Sequence, residues 1–182
     1  MGPSPVKHLT IEELHAGLDA IRLSPKDAGT LELIVRRPAA GLREVLQVGQ
    51  LDPAEGLVGD SWKSRRSSVD MQLTIMSSRV IALVAQDSTR WQLAGDQLFV
   101  DIDLSAENLP SGTRLAVGDQ AVIEVTAPPH TGCGKFGQRF GMEAAKFVNS
   151  SIGRQLRLRG VNAKVSEPGV IRSGDIIRKL SL

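Results

Sequence analysis

The sequence predicts a mainly β protein with a few helices, folded as a closed or nearly closed β-barrel, and three observations support this class. Short apolar segments of strand length recur between residues 31 and 180. Turn-forming Gly-Asp dipeptides accompany them at Gly59-Asp60, Gly95-Asp96, Gly118-Asp119 and Gly174-Asp175. The few helical patterns do not alternate regularly with the strands, which makes a parallel doubly wound sheet the weaker alternative.

A short amphipathic helix is predicted near the N-terminus. Thr10 and Glu13 have the spacing of a capping box, in which each side chain bonds the other residue's backbone N–H. Apolar residues follow at helical spacing before the breaker pair Ser24-Pro25, at Ile11, Leu14, Leu18 and Ile21. We therefore divide the chain into a helical appendage over residues 1–30 and a barrel domain over residues 31–182.

The barrel domain is predicted to contain strands at residues 31–35, 42–51, 71–76, 97–102, 114–117, 121–126, 161–166 and 175–180. The second strand alternates poorly, because Glu44 and Val45 interrupt its apolar face. Ser77 or Ser78 would cap a helix over residues 79–85, and further helical patterns cover residues 142–149 and 152–159.

Composition and charge limit the kinds of partner. The net charge is only +2, but residues 130–182 hold ten Lys and Arg against three Asp and Glu. This excess would attract an anionic ligand if it faces a cleft, and otherwise forms a solvated surface. With two Trp, four Phe and no Tyr, the chain has few stacking platforms for nucleic acid. The longest apolar run, residues 80–85, is too short to span a membrane, and no apolar secretory signal is visible, so we expect a cytoplasmic protein.

One segment, residues 128–141, concentrates the reactive residue types. It contains the only cysteine, Cys133, between two glycines and after two prolines. Loops of this composition often carry function, and a thiolate can serve as a nucleophile, a persulfide carrier or a soft metal ligand. The positive charges of Lys135 and Arg139 would lower the pKa of this thiol. The alternative is a buried structural cysteine.

The residues around Cys133 disfavour several other kinds of site. A single cysteine can form neither an internal disulfide nor a Cys-based structural zinc site. His130 could form an acyl-transfer pair with Cys133, but such partners normally come from a distant part of the chain. The other histidines, His8 and His15, lie in the appendage, so a bound metal would take most of its ligands from a cofactor. No Walker-type phosphate loop or dinucleotide fingerprint is present.

From residue 95 to residue 180 the sequence closely resembles the MOSC domain, named for the C-terminal part of molybdenum cofactor sulfurases. The matching blocks include Gly95-Asp96-Gln97-Leu98, Asn108-Leu109-Pro110-Ser111-Gly112, Pro129-His130-Thr131-Gly132-Cys133, Lys135-Phe136, Arg139-Phe140-Gly141, Lys146-Phe147-Val148-Asn149, Gly153-Arg154 and Leu156-Arg157-Leu158-Arg159-Gly160. Upstream, Gly56-Leu57-Val58-Gly59-Asp60 looks like the start of the domain, so the resemblance covers roughly residues 40–180. It implies a MOSC-type β-barrel in which Cys133 is the family's key cysteine.

The resemblance also implies a function, a molybdenum-cofactor-binding oxidoreductase that reduces N-hydroxylated compounds. Cys133 would be the molybdenum ligand and, with His130, a catalytic residue. The molybdopterin and its phosphate would contact Lys135, Arg139, Arg154, Asn108 and Asn149. Because the chain shows no iron–sulfur or flavin segment, the electrons would come from a partner reductase.

Two alternatives stay open. Cys133 could carry a persulfide as a non-catalytic sulfur carrier, supplied by a pyridoxal-phosphate-dependent cysteine desulfurase, since the chain shows no such domain of its own. The protein could also be a small binding module with an inert thiol. The bacterial members that detoxify hydroxylaminopurines have a helical region after the barrel, which this sequence lacks, so we do not expect their activity to transfer.

Overall fold

The structure is a computed structural model that describes residues 6–65 and 67–181, so the first five residues of the predicted appendage lie outside it. Within this part the chain forms eleven strands: Ala28–Arg36 (β1), Glu44–Leu46 (β2), Val48–Asp52 (β3), Gly56–Leu57 (β4), Leu73–Ser77 (β5), Leu98–Asp101 (β6), Arg114–Val117 (β7), Ala121–Pro129 (β8), Val161–Glu167 (β9), Gly169–Arg172 (β10) and Ile176–Lys179 (β11).

Seven of these strands close into a barrel, which confirms the predicted fold class. The strand order around the barrel is β1-β11-β7-β8-β9-β5-β6, and β6 pairs with β1 again. All pairings are antiparallel except β5 with β6. Closure depends on β1, whose first residues pair with β11 (Ala28 with Arg178) while its later residues pair with β6 (Leu31 with Val100). A second sheet has the order β10-β3-β4.

Six helices lie outside the barrel in the described chain: Ile11–Ala16 (α1), Leu18–Arg22 (α2), Ser78–Ala85 (α3), Gly134–Phe140 (α4), Met142–Asn149 (α5) and Ser151–Gln155 (α6). The predicted capping box is present, since Thr10 and Glu13 bond each other's backbone N–H. Ser77 caps α3 as expected. The predicted N-terminal helix is divided in two at Gly17, where an added Cβ would lie 2.6 Å from the side chain of Leu83.

Two hydrophobic clusters hold these layers together. The first fills the barrel with strand residues such as Leu31, Ile75 and Val125. The second lies between the barrel wall and the helices, and it includes Leu14 and Leu18 together with three phenylalanines. Phe136, Phe140 and Phe147 are all buried there, so they serve packing between the helices and the barrel.

Two local predictions were wrong, and three elements were not predicted. The strand over residues 42–51 is two strands in different sheets, because β2 pairs with the end of β1 whereas β3 pairs with β10. The helix over residues 152–159 stops at Gln155, because Arg157 and Gly160 take positive φ angles and turn the chain into β9. The elements α4, β4 and β10 were not predicted, whereas the predicted helix over residues 142–149 is present as α5.

Candidate functional site

Cys133 lies exposed at the end of the loop that connects β8 to α4. Asn149 of α5 holds this loop, because its side chain accepts a hydrogen bond from the Gly132 N–H and donates one to the Gly132 carbonyl, both at 2.9 Å. A Cβ on Gly132 would lie 2.9 Å from Val148 Cγ2, so glycine permits this close approach. The backbone next to the thiol is therefore fixed by α5.

The surroundings of the Cys133 thiol favour its ionised form. Burial alone would raise the pKa of this thiol, but the backbone N–H groups of Phe136 and Lys135 and the charge of Arg159 outweigh burial and lower the pKa below its ordinary value. A thiolate is the form that attacks electrophiles, accepts sulfur or binds a soft metal. An exposed thiol of lowered pKa does not fit the alternative of a buried structural cysteine.

A buried carboxylate organises the polar groups beside Cys133. Asp96 is fully buried, and it binds His130 through Oδ1 (Nε2 at 2.8 Å) and Arg159 through Oδ2 (Nη1 at 2.6 Å). Arg159 also lies over the ring of Phe136, 5.0 Å from its centroid. Burial raises the pKa of Asp96, but the charges of Arg159 and His130 outweigh it and lower the pKa to about 2.

This geometry gives His130 a defined place and limits its chemistry. Its Nε2 is bound to Asp96, and in the described chain no hydrogen bond joins His130 to Cys133. A general base must reach the proton that it removes. The arrangement therefore gives no support to an acyl-transfer pair, and it anchors His130, a residue of the loop itself, to Asp96.

A group of arginines surrounds Gly95, and we name it the Gly95 arginine cluster: Arg37, Arg43 and Arg139. Arg37 Nη1 donates to the Gly95 carbonyl at 2.9 Å, and Arg139 Nη1 donates to the Leu93 carbonyl at 2.6 Å. A Cβ on Gly95 would lie 3.5 Å from Arg43 Nη2 and 4.0 Å from Arg139 Nη1, so these two guanidinium groups share the space over one Cα atom.

The cluster has an excess of positive charge. Arg37 is paired with Asp60, but among the described residues no carboxylate lies within salt-bridge distance of Arg43 or Arg139. Burial lowers the pKa of Arg43, and the charges of Arg139, Arg37 and Arg65 lower it further. Arg43 Nε is buried without a hydrogen-bond partner. Unpaired guanidinium groups that converge in this way form a site for an anion.

A cavity of about 190 Å³ lies beside the loop that connects β8 to α4, and we name it the His130 cavity. Its walls come from the end of β8 and the loop, from α5 and α6, and from the start of β9. Its polar lining includes His130, Thr131, Asn149, Arg154, Arg157 and Asn162, and none of the described residues that line it is acidic. Neither Cys133 nor Arg139 belongs to this lining.

The structure thus separates the residues that were predicted to hold a cofactor. Arg139 belongs to the Gly95 arginine cluster, Lys135 is exposed beside Cys133, and Arg154 and Asn149 line the His130 cavity. Asn108 is not brought together with them. Its side chain bonds the carbonyls of Lys26 and Asp103 and accepts from Lys179 Nζ, so it joins the segment before β1 to the barrel.

Sequence reasoning missed three residues that shape the site. The sequence pattern predicts Asp96 in a turn dipeptide, Arg43 in a segment of irregular alternation and Arg159 in a helix. Two of them carried a signal, because Gly95-Asp96 and Arg157-Leu158-Arg159 both belong to blocks that resemble the MOSC domain. Nothing in the local pattern pairs Arg43 with Arg139, since they lie far apart in the sequence and meet only in the folded protein.

Residues 6–65 and 67–181 contain no group of three or more His, Cys, Asp or Glu side chains that could hold a metal ion. A metal at Cys133 would therefore depend on ligands from outside the described chain. None of the helices in this part of the chain has the length and apolar character that crossing a bilayer requires.

The MOSC domain family model matches residues 68–178, and the chain belongs to this family, which is linked to molybdenum cofactor binding. No curated protein sequence matches the chain. Among solved structures, YuaD from Bacillus subtilis is similar over 85% of this chain and 97% of its own, with a TM-score of 0.58 and 17% identity. YiiM from Escherichia coli is similar over 84% of this chain and 70% of its own, with a TM-score of 0.55 and 19% identity. At these identities the solved structures support the fold alone.

Proposed function

We propose that this MOSC protein binds the molybdenum cofactor with Cys133 as the protein ligand to molybdenum, and that it is an oxidoreductase acting on N-hydroxylated compounds. The observation that carries the proposal is an exposed thiol whose pKa is lowered by backbone N–H groups and by the charge of Arg159. Arg159 in turn donates hydrogen bonds to Asp96 and to the Ala94 carbonyl, the residues on either side of Gly95. It thereby links the surroundings of the thiol to the Gly95 arginine cluster, which has unpaired positive charge.

The residues present fit such a cofactor. A thiolate is the soft ligand that a metal of this kind accepts, and the protein offers one such ligand, so a pterin-borne metal needs only one protein contact here. The buried, unpartnered Nε of Arg43 and the converging guanidinium groups of Arg43 and Arg139 suit a phosphate. When bound, molybdenum would supply the oxygen-atom and electron transfer that no side chain can supply.

The chain's own residues would bind and orient. Asn149 holds Gly132 and so fixes the backbone from which Cys133 projects, while Arg159 favours its ionised form. We keep Lys135 and Arg139 as cofactor-binding residues and add Arg43. His130 anchors the loop that carries Cys133, because its Nε2 is bound to Asp96. The electrons would come from a partner reductase, and the substrate would be a small molecule.

Metal analysis tests the proposal directly. The wild-type chain and C133A, expressed in cells that make the cofactor, are compared for molybdenum content after gel filtration. We expect stoichiometric molybdenum in the wild type and its loss in C133A. The wild type loaded in this way, given a chemical reductant, should reduce an N-hydroxylated amidine. A wild type without molybdenum, or a C133A variant that retains it, contradicts the proposal.

A sulfur carrier is the second candidate, because the exposed and acidified thiol of Cys133 is accessible to a partner protein. Incubation with a pyridoxal-phosphate-dependent cysteine desulfurase and cysteine should then add the mass of one sulfur atom to Cys133, with no molybdenum bound. C133A is the control. If neither molybdenum nor sulfur is found on the wild type, both candidates are wrong.

A further inference from the structure

We propose that the His130 cavity binds a small organic carboxylate that carries a hydrogen-bond donor, through Arg154, Arg157 and Asn162. This site is separate from the cofactor site proposed above, and it does not depend on whether Cys133 binds molybdenum. Four features of the cavity lead to this inference.

The first feature is the charge of the cavity. Arg154 and Arg157 both line it, no described residue with a carboxylate does, and neither arginine forms an ion pair within the described chain. Arg154 makes no side-chain hydrogen bond in that part of the structure, and Arg157 makes one, to the Leu109 carbonyl. Two guanidinium groups with free donors that line one cavity can bind a carboxylate.

The second feature is an incomplete hydrogen-bond set at Asn162. This side chain is fully buried and lines the cavity. Its Nδ2 donates to the Pro128 carbonyl at 3.0 Å, whereas its Oδ1 has no partner. A buried acceptor is normally paired, so a ligand that donates an N–H or O–H would complete this site.

The third feature is backbone strain that places Arg157. This residue has a φ of +49°, which is uncommon for a bulky side chain and is maintained only where the surroundings require it. The turn is closed by Gly160, where an added Cβ would lie 2.1 Å from the Ile75 carbonyl oxygen. Burial lowers the pKa of Arg157, as expected for a guanidinium group held partly out of water.

The fourth feature is size and lining. Besides its polar groups, the cavity is lined by Pro128, Pro129, Val148 and Val161, and its volume is about 190 Å³. An apolar cavity of roughly 150 Å³ can hold benzene. The cavity therefore fits a single ring or a short branched chain that ends in a carboxylate.

Titration calorimetry of the full chain with three probes tests the inference. The probes are 4-aminobenzoate, benzoate, which lacks the donor, and 4-aminobenzamide, which lacks the charge. We expect 4-aminobenzoate to bind most tightly and 4-aminobenzamide most weakly. Equal affinity for 4-aminobenzoate and 4-aminobenzamide, or no binding of either, overturns the proposal. Equal affinity for 4-aminobenzoate and benzoate would contradict the part of the proposal in which Asn162 accepts a hydrogen bond from the ligand.

Matched variants locate the binding. Arg154 is exposed, so R154Q should fold normally, and we expect it to weaken 4-aminobenzoate binding at least tenfold. R178Q removes the same charge from an exposed position on β11, and R43Q removes it from the Gly95 arginine cluster; both should bind as the wild type does. Equal weakening by R154Q and R178Q would overturn the proposal, because binding would then follow net charge alone.

Discussion

The Gly95 arginine cluster and the His130 cavity are both positively charged, but they are built differently. In the cluster, Arg43 and Arg139 converge over one glycine, and the third arginine, Arg37, is neutralised by Asp60. In the cavity, Arg154 and Arg157 line a space that is also lined by apolar side chains and a buried amide. The cluster thus suits a highly charged group such as phosphate, whereas the cavity suits a small organic molecule that carries a single charge.

The comparison also shows what a charge count along the sequence misses. Residues 1–129 carry 12 Lys and Arg against 17 Asp and Glu, yet they supply Arg37 and Arg43 to the cluster. Barrel formation collects positive charge from both parts of the chain and leaves most acidic residues elsewhere. The basic excess of residues 130–182 therefore supplies only part of the arginines that form the proposed anion sites.

The largest expected effect concerns Asp96, which contacts Arg159 on one side and His130 on the other. D96N removes a fully buried charge that pairs with Arg159 and bonds His130, so we expect a loss of roughly 3–5 kcal/mol in the free energy of unfolding. Urea denaturation followed by circular dichroism measures it. D119N, at an exposed position, is the matched control and should be near neutral. A loss below roughly 1 kcal/mol for D96N would mean that the two regions are not held together through this carboxylate.

The next effect separates the two regions by function. If the cluster holds the phosphate of the cofactor, R43Q loses charge-assisted hydrogen bonds of roughly 1.5–3 kcal/mol, which corresponds to about 10–100-fold in affinity. Molybdenum retained after dialysis should fall accordingly. R154Q should retain molybdenum as the wild type does, because Arg154 lines the other region. Equal loss in R43Q and R154Q would show that the cluster and the cavity form one continuous site.

The pH dependence of stability sharpens the role of Asp96. Burial would raise the pKa of this carboxyl, but Arg159 and His130 lower it to about 2, against about 3.9 in an unfolded chain. Since the folded pKa is the lower one, the stabilisation is present above about pH 4 and is lost as the pH falls towards 2. We expect the wild type to lose about 2 kcal/mol more than D96N between pH 5 and pH 2. Parallel profiles for the two proteins would contradict this assignment.

The smallest effect concerns Asn149 and Asn108, which were both predicted to bind the cofactor. N149A removes both hydrogen bonds to Gly132, and N108A removes the bonds to Lys26, Asp103 and Lys179. Each should cost roughly 1–2 kcal/mol of stability. Only N149A should change the rate at which iodoacetamide alkylates Cys133, because Asn149 alone fixes the backbone next to the thiol. An altered rate in N108A would place Asn108 at the site after all.

The fold was largely predictable because strand-length apolar segments and turn dipeptides are local signals. The strand at Arg114–Val117 and the helix at Met142–Asn149 have the predicted bounds. The errors lie where a distant partner decides the structure. β2 and β3 separate because they pair with different strands, and the turn at Arg157 is set by the close approach of Gly160 to Ile75.

The candidate site was predictable in its centre and not in its surroundings. Cys133 and His130 stand out as reactive types in a loop of glycine and proline, and the resemblance to the MOSC domain points to the same residues. Asp96, Arg43 and Arg159 are ordinary charged residues, and their importance comes from burial and from contacts across the barrel. No spacing rule links residues that lie far apart in the sequence and meet only in the folded protein.

The double pairing of β1 has a consequence for how the protein is made. β11 lies between β1 and β7, so the barrel cannot close until Ile176–Lys179 has been made. A chain emerging from the ribosome therefore contains the loop around Cys133 before the barrel is closed. Until then, β7 and the first residues of β1 are free edges that can pair with other chains. Contacts between residues so far apart in sequence form slowly. The interval before β11 is inserted is therefore when this protein is most prone to aggregate, and substitutions in β11 should lower its soluble yield in cells more than they lower the stability of the finished barrel.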